Sequence, residues 1–242
     1  MKPSRSSEIK LRPNESIDDF MEGRLKLIQS GAGYRFSIDA ILLFEFVTIK
    51  RGDTLVDLGT GCGIIPLVLI LTRQIGHAVG LEIQLDLVDQ AARNIILNGF
   101  ERKMGVVRGD IKYPPIAPSS ADVVVCNPPY RQKNSGRINP DSQRAIARHE
   151  ILASLNDILN AARQILRAKG RLAMIYPAVR LVDLLVRMRG FDLEPKKIRI
   201  VYPGLQTEAK LALVEASLGG REGLKVLPPL IDQGDFSIYG KA

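Results

Sequence analysis

The stretch TLVDLGTGCGIIPLVLIL, residues 54–71, decides the fold because it joins a short apolar strand to an apolar helix through closely spaced glycines. Thr54–Leu58 reads as a buried strand, and a helix is predicted from about Ile64. Glycines in such a turn let the backbone approach a ligand closely. They fall at every second position, unlike the G-x-G-x-x-G of dinucleotide-binding loops, at Gly59, Gly61 and Gly63.

Outward from this stretch, β-rich runs alternate with helical runs. The predicted strands are Ala78–Ile83, Gly105–Arg108, Ala121–Cys126 and Arg171–Tyr176, and the predicted helices are Ile38–Val47 (capped by Ser37), Leu85–Leu97 and about Leu152–Arg167. This alternation predicts a parallel sheet with helices on both faces. Two later runs, Lys197–Tyr202 and Lys210–Ser217, are separated by too few residues for a crossover helix, so we predict that they pair antiparallel.

Length and composition place the chain among globular α/β proteins. Its 242 residues, 45% hydrophobic and 25% charged, suit one large domain or one domain with a small appendage. We expect an N-terminal extension over residues 1–35 and a catalytic domain over residues 36–242. The first residues, to about position 20, are polar and expected to be loosely ordered, and a hairpin is predicted at Gly23–Tyr34, turning on its glycines.

Several classes of protein are excluded by the same counts. The longest apolar runs are shorter than the about 20 residues of a membrane span. The polar start, MKPSRSSEIK, argues against a signal peptide, so a cytoplasmic location is expected. Because the few cysteines and histidines show no paired ligand spacing, neither a disulfide scaffold nor a metal site is expected from Cys62, Cys126, His77 and His149.

Carboxylates follow three predicted strands in turn. Asp57 precedes the first loop glycine, where it would repel a pyrophosphate but suits a cationic ligand. Glu82 ends the next strand, where a carboxylate accepts both hydroxyls of a ribose. Asp110 follows the strand after that and can accept from an exocyclic amine. Together they predict a site for an adenosine that carries a positive group and no phosphate, which is S-adenosylmethionine.

The segment Asn127-Pro128-Pro129-Tyr130 follows the strand ADVVVC, at the end where parallel sheets bind ligands. The Asn127 side-chain oxygen and the Pro128 carbonyl can each accept a hydrogen from a planar amine, which aims the nitrogen lone pair at a methyl group. The prolines hold that carbonyl because their φ is locked. Tyr130 offers a flat face to a base or amide. We predict methyl transfer driven by positioning and electrostatics.

The motif DLGTGCG, with Glu82 and Asp110, resembles the class I S-adenosylmethionine-dependent methyltransferases. The resemblance implies a Rossmann-like, seven-stranded, mostly parallel sheet with an antiparallel terminal strand and helices on both faces. It also implies that Ile83, Ile111 and Asn127 line the cofactor site. NPPY resembles the signature of enzymes that methylate planar nitrogens: adenine N6, guanine N2 or the glutamine amide of translation release factors. The motif alone does not choose among them.

A resemblance over more of the chain narrows the choice among these methyl acceptors. GRLKLIQSGAGYRFSIDAILLFEFV, with NPPYRQKNSGRINP and ARHE, is similar to the bacterial tRNA (adenine-N6)-methyltransferases that modify the adenine beside the anticodon of a valine tRNA. It covers roughly residues 20–215. It implies that four residues close over the methionine end of the cofactor: Tyr34, Arg35, Phe36 and Asp39. Arg35 can pair with a carboxylate there.

Three other functions remain open at this point. A protein glutamine methyltransferase would need a larger N-terminal helical domain to hold its partner protein. A small-molecule methyltransferase would have an apolar lid and no special charge excess. A cofactor-dependent RNA-binding protein without activity would have no physical need to keep Asn127, Asp57 and Glu82 together.

The net charge of +8 favours a polyanionic partner. Residues 161–200 hold ten basic and three acidic side chains, which predicts either a solvated face or an RNA-binding surface. We expect tRNA or another structured RNA to contact this face at Arg187, Arg189, Lys196 and Lys197, and the loop after NPPY at Arg131, Lys133 and Arg137. No membrane partner is expected, and the oligomeric state is left open.

Overall fold

The computed structural model describes residues 9–31, 38–128 and 153–231. The strands are β1 Glu15–Phe20, β2 Leu25–Ser30, β3 Thr54–Leu58, β4 His77–Glu82, β5 Met104–Arg108, β6 Ala121–Cys126, β7 Leu166–Pro177, β8 Leu193–Tyr202, β9 Leu211–Leu218, β10 Lys225–Val226 and β11 Leu230–Ile231. The helices are α1 Ile38–Phe46, α2 Ile64–Arg73, α3 Leu85–Leu97, α4 Leu155–Ile165 and α5 Leu181–Gly190, with a 3-10 turn at Ala178–Arg180.

A mixed sheet organises these elements in the order β10-β8-β9-β7-β6-β3-β4-β5. Strands β3 to β7 run parallel to one another, whereas β9 is antiparallel to both neighbours, β7 and β8. The predicted α/β class is confirmed: among the described residues the sheet has seven longer strands, of which β9 is inverted. Two further strands of two residues each, β10 and β11, pair in parallel with β8.

Helices cover both faces of the sheet, as predicted. Side chains from β1, β2, α1 and α2 form one buried cluster, and side chains from α4 and α5 form the other. Successive residues of β3 enter opposite clusters, Leu55 the first and Val56 the second. Such strands read as continuous apolar runs, which explains why the sequence located them so closely.

One helix escaped prediction. In α5, buried Leu184 and Met188 face the sheet, while Val182 and Val186 are exposed on the other side. Apolar residues on both sides of a helix blur the 3.6-residue period on which a sequence-based prediction depends. The basic residues of this segment therefore belong partly to a helix packed on the sheet.

The N-terminal hairpin differs from the prediction in position. Leu25–Ser30 is its second strand and pairs with Glu15–Phe20, so the turn precedes this strand instead of following it at the glycines. Glu15–Phe20, which lies in the segment expected to be loosely ordered, is therefore a strand. The turn contains Met21 and Glu22 at positive φ, a conformation that their residue types do not signal. The expected boundary between residues 35 and 36 falls outside the described ranges.

The hairpin is fastened to α3. The Arg93 guanidinium donates to both carboxylate oxygens of Glu15 at 2.7 Å, and both side chains are largely buried. This hydrogen bond is the main reason that the pKa of Glu15 is lowered. Arg12 adds exposed ion pairs with Asp86 and Asp89 on the same helix. The two-stranded hairpin thus gains from α3 the support that an isolated hairpin lacks.

The structure corrects the prediction that Lys197 faces RNA, because the lysine side chain contacts other parts of the protein. Its Nζ donates to the Phe46 carbonyl and to Thr48 Oγ1, both at 2.7 Å, and lies 3.4 Å from the Glu215 carboxylate. Burial is the main cause that lowers the pKa of Lys197. The lysine therefore ties the end of α1 to the sheet, with its charge turned inward.

The other three residues of the predicted basic face lie across the sheet from Lys197, on the side of α5. Arg187 pairs with Asp183 and Asn156, and Arg189 pairs with Glu194 and Glu222. The Lys196 ammonium donates to the carbonyls of Arg221 and Glu222. The predicted surface is thus divided between two faces.

Within the described ranges, no helix has the length and apolar character needed to cross a bilayer.

The inward charge of Lys197 generates a stability prediction. Lys197→Met should lower the free energy of unfolding by roughly 3 kcal/mol, because the Glu215 carboxylate would remain buried without its cation. Urea denaturation measures the change. Lys196→Met is the matched control, since the neighbouring lysine bonds only exposed carbonyls, and it should cost well under half as much. Equal losses for the two variants would contradict the structural role.

Candidate active site

The predicted polar residues meet along one edge of the sheet, at the carboxyl ends of four adjacent strands. The register places Leu58 of β3 beside Leu81 of β4 and Cys126 of β6. Glu82, next after Leu81, and Asn127, next after Cys126, therefore flank the start of the glycine loop on its two sides. Asp110 follows β5, which is the next strand beyond β4. This juxtaposition is the one that the sequence pattern predicts.

The glycine loop rests against β4. The N–H groups of Gly59 and Thr60 donate to the Leu81 carbonyl at 2.9 and 3.0 Å. A Cβ atom on Gly80 would lie 2.6 Å from Thr60 Cγ2, so only glycine at that strand position admits the loop. Gly63, with φ of 86°, then starts α2 in a left-handed conformation. The turn from β3 to α2 is thereby held close to the neighbouring strand.

Glu82 organises the loop through backbone donors. Its Oε2 accepts from the Gly61 N–H at 3.0 Å, and its Oε1 accepts from the N–H groups of Ile83 and Gln84 at 2.9 and 3.0 Å. The side chain is buried, and a carboxylate has about four lone-pair sites, so it can accept one more hydrogen bond beyond these three. Glu82 both fixes the loop and presents an acceptor at the edge of the sheet.

Asp57 is the most unusual group at the edge. It is 1% exposed, and its Oδ2 accepts from Thr60 Oγ1 at 2.7 Å. Its Oδ1 is buried with no hydrogen-bond partner in the described part of the chain. Burial, opposed by the Thr60 bond and reinforced by the charge of Glu82, raises the pKa of Asp57 to about 7. A buried acceptor without a donor is uncommon, and a ligand that brings a cation or an N–H group would supply one.

The remaining described residues of the predicted site follow the same edge. Asp110 is half-buried beyond β5, and its Oδ1 accepts from the Lys112 N–H at 2.9 Å. Ile111 is half-buried beside it. Asn127 is half-buried, Pro128 is buried, and Asp39 lies half-buried in the first turn of α1. The structure therefore brings Asp57, Glu82, Asp110 and Asn127 to one edge.

The other predicted residues lie outside the described ranges. They are Tyr34, Arg35 and Phe36 before α1, Pro129 and Tyr130 of the NPPY motif, and Arg131, Lys133 and Arg137 of the following loop.

The two cysteines near the edge do not supply a nucleophile. Cys62 and Cys126 are both buried, and burial raises the pKa of Cys62 to about 12 and that of Cys126 well above its ordinary value. Their thiols stay protonated at neutral pH, whereas the thiolate is the reactive form. The polar groups at this edge are thus suited to binding and orienting a ligand.

Sequence reasoning missed three residues that build the site. Thr60 bonds Asp57, Gly80 makes room for Thr60, and Asn94 of α3 donates to the Cys62 carbonyl at 3.0 Å. A signal existed for Asn94, because asparagine is a poor helix former and it lies on the apolar side of the run LDLVDQAARNIIL. Thr60 and Gly80 carry no distinguishing local pattern.

Comparisons with known proteins agree with this geometry. A family profile described as methyltransferase small domain matches residues 35–180. The tRNA1(Val) (adenine(37)-N6)-methyltransferase of Parabacteroides distasonis is 30% identical over 180 residues, covering 74% of this chain and 75% of that protein. The protein of the same name from Porphyromonas gingivalis is 29% identical over 206 residues, covering 82% of this chain and 80% of its own.

Among solved structures, a predicted O-methyltransferase from Agrobacterium tumefaciens has a TM-score of 0.64 at 20% identity, covering 81% of this chain and 88% of that one. A SAM-dependent methyltransferase from Aquifex aeolicus has a TM-score of 0.52 at 14% identity, covering 74% and 89%. These two structural matches confirm the predicted fold.

The raised pKa of Asp57 predicts a pH-dependent stability. The folded state keeps the Asp57 proton up to about pH 7, whereas the unfolded chain releases it near the ordinary value of 3.8. Because the folded state binds more protons in that window, unfolding free energy falls as pH rises from about 4 to about 7 and then levels.

Asp57→Asn should remove this pH-dependent fall in the free energy of unfolding. In urea denaturation without added ligand, the variant should gain on the parent protein between pH 5 and pH 8 by roughly 3 kcal/mol. Parallel stability curves for the two proteins would show that Asp57 is ionised at neutral pH and that its pKa is ordinary.

Proposed function

This chain belongs to the methyltransferase small domain family, and we propose that it transfers a methyl group from S-adenosylmethionine to N6 of an adenine in a tRNA. The observation that carries the proposal is the alignment of Asp57, Glu82, Asp110 and Asn127 at the carboxyl ends of four adjacent strands. The activity for which the relatives are named supplies the acceptor.

Three carboxylates would hold the donor. Asp57 would accept from the cationic amino-acid end through Oδ1, which has no hydrogen-bond partner among the described residues. The remaining capacity of Glu82 would accept from the ribose hydroxyls, and Asp110 would accept from the adenine amine. Ile83 and Ile111 supply apolar sides for the adenine ring. When bound, S-adenosylmethionine supplies a methyl group on a sulfonium, which is already an excellent leaving group. Once methylated, the adenine nitrogen would carry a positive charge and release one proton readily to water, so the protein needs no strong general base.

Asn127 and Pro128 would prepare the acceptor. An adenine amine is planar because its lone pair is delocalised into the ring, so it attacks poorly. The Asn127 side-chain oxygen and the Pro128 carbonyl accept its two hydrogens and draw the nitrogen toward tetrahedral geometry. The Pro128 ring is buried, which holds that carbonyl in place. Catalysis then rests on orientation and on fixed dipoles.

Three of the four residues of the predicted basic face remain proposed RNA contacts. Arg187, Arg189 and Lys196 form exposed contacts within the protein, and exposed ion pairs are worth about 1 kcal/mol or less, so a phosphate can replace a partner at little cost. Lys197 is left out because its charge is turned inward. The bases of an anticodon loop are already accessible, which lowers the cost of presenting one adenine.

Removing the Asn127 amide tests the catalytic proposal. Asn127→Ala should lower the rate of methyl transfer to tRNA by at least about a hundredfold, since an oriented acceptor of this kind supplies several kcal/mol at the transition state. Affinity for S-adenosylmethionine, measured by calorimetry, should stay within a few-fold. Asn156→Ala is the control, because this exposed asparagine accepts a hydrogen bond from Arg187, away from the strand ends that carry the site. Loss of donor binding in Asn127→Ala would remove Asn127 from the catalytic role.

The acceptor class is tested by offering labelled S-adenosylmethionine to separated tRNA, protein and DNA fractions. Label in the adenine N6 of tRNA supports the proposal. Label in a glutamine amide of a protein would overturn it in favour of a protein methyltransferase. That alternative called for an N-terminal helical domain, whereas the described N-terminal residues form a two-stranded hairpin.

The RNA surface is tested by charge reversal. Arg189→Glu with Lys196→Glu should weaken tRNA binding and reduce its salt dependence, by about one unit of log–log slope for each phosphate that the protein no longer neutralises. The control pair Arg102→Glu and Lys103→Glu makes the same charge change on the exposed turn before β5, at the opposite edge of the sheet. Equal effects from both pairs would mean that tRNA responds only to net charge.

A further inference from the structure

Asn94, in the middle of α3, uses its side-chain amide to join three parts of the protein. It is fully buried, with 0% of its surface exposed. Its Oδ1 accepts from the Ile28 N–H at 2.7 Å, and its Nδ2 donates to the Ile28 carbonyl at 3.3 Å and to the Cys62 carbonyl at 3.0 Å. A single side chain thus links α3, the hairpin strand β2 and the glycine loop.

Asparagine side chains bond to the edge of β2 where a sheet would have a further strand. One edge of β2 pairs with β1, and the backbone groups of Lys26 and Ile28 face α3 instead. Asn98, one helical turn after Asn94, accepts from the Lys26 N–H at 2.9 Å and donates to the Lys26 carbonyl at 2.8 Å. The two asparagines therefore act as a ladder of amides along the strand edge, which would otherwise be left with unmet donors and acceptors.

Only one of the two asparagines continues to the glycine loop. Within the described ranges, the bonds of the Asn98 amide go to Lys26 and to the carbonyl of Asn94. The Asn94 amide goes on to Cys62, which lies between Gly61 and Gly63. Gly61 is held by Glu82, and Gly63 begins α2. The bond from Asn94 therefore fixes the Cys62 carbonyl, whose neighbours on both sides are glycines without side chains to restrain the backbone.

We propose that Asn94 is a positioning residue that couples docking of the N-terminal hairpin to the shape of the donor-binding loop. The proposal rests on the function proposed above for that loop. Since every hydrogen-bonding atom of the amide is used, strand β2 cannot leave α3 without disturbing the partner of Cys62. By thermodynamic reciprocity, donor binding that favours the observed loop also favours the docked hairpin.

The test compares two isosteric variants. Asn94→Asp keeps the acceptor for the Ile28 N–H but loses the donor to Cys62, whereas Asn98→Asp makes the same chemical change where the loop is not contacted. We expect Asn94→Asp to weaken S-adenosylmethionine binding by at least about tenfold by calorimetry, and Asn98→Asp by less than about threefold. At saturating donor, kcat of Asn94→Asp should stay near the parent value while KM for the donor rises.

Hydrogen exchange supplies the second readout. In the parent protein, adding S-adenosylmethionine should slow amide exchange in residues 25–30 as well as in the loop 59–63. Asn94→Asp, at donor concentrations that saturate it, should keep protection of the loop and lose the added protection of the hairpin. If Asn94→Asp does not fold, Asn94→Ser replaces it in both measurements with the same expectation.

The outcomes separate the two proposals. Equal weakening of donor binding by Asn94→Asp and Asn98→Asp would overturn the coupling, because loosening of the hairpin alone would then explain both. Unchanged donor binding in Asn94→Asp would overturn it as well. Failure of the parent protein to bind S-adenosylmethionine would instead overturn the function proposed for the loop.

Discussion

The close approach of the glycine loop to β4 is the constraint on which the site depends. Gly59 and Thr60 reach the Leu81 carbonyl only because Gly80 has no side chain to meet Thr60. That contact carries Thr60 to Asp57 and Gly61 to Glu82. The backbone therefore brings two carboxylates to one edge of the sheet, and the neighbouring register places Asn127 beside them.

Bringing two carboxylates into a buried site has an electrostatic cost that the protein only partly offsets. Glu82 receives three backbone N–H groups, whereas Asp57 receives one hydroxyl and leaves Oδ1 without a partner in the described residues. Burial, offset by a single hydroxyl donor, raises the pKa of Asp57 to about 7. A ligand with a positive group would offset this cost, so the site favours cationic ligands.

The sequence predicts what local chemistry determines, and misses what distant contacts determine. Apolar runs located β3, β6 and α3 because parallel strands and amphipathic helices have strong periodicities. The hairpin turn was misplaced because Met21 and Glu22 adopt positive φ without a residue type that favours it. The carboxylates were found because each follows a strand directly, whereas Asn94 acts through residues 32 and 66 positions away.

Counting charged residues along the chain is an unreliable guide to where positive charge lies on the surface. The net charge is +8, but three basic side chains form ion pairs with largely buried acidic side chains. The pairs are Arg93 with Glu15, Arg171 with Asp53 and Lys197 with Glu215. Each such pair strengthens attachment between distant elements and removes a cation from the surface that a polyanion could meet. The proposed recognition of RNA therefore depends on where exposed cations lie relative to Asn127, because the net charge alone does not locate a phosphate contact.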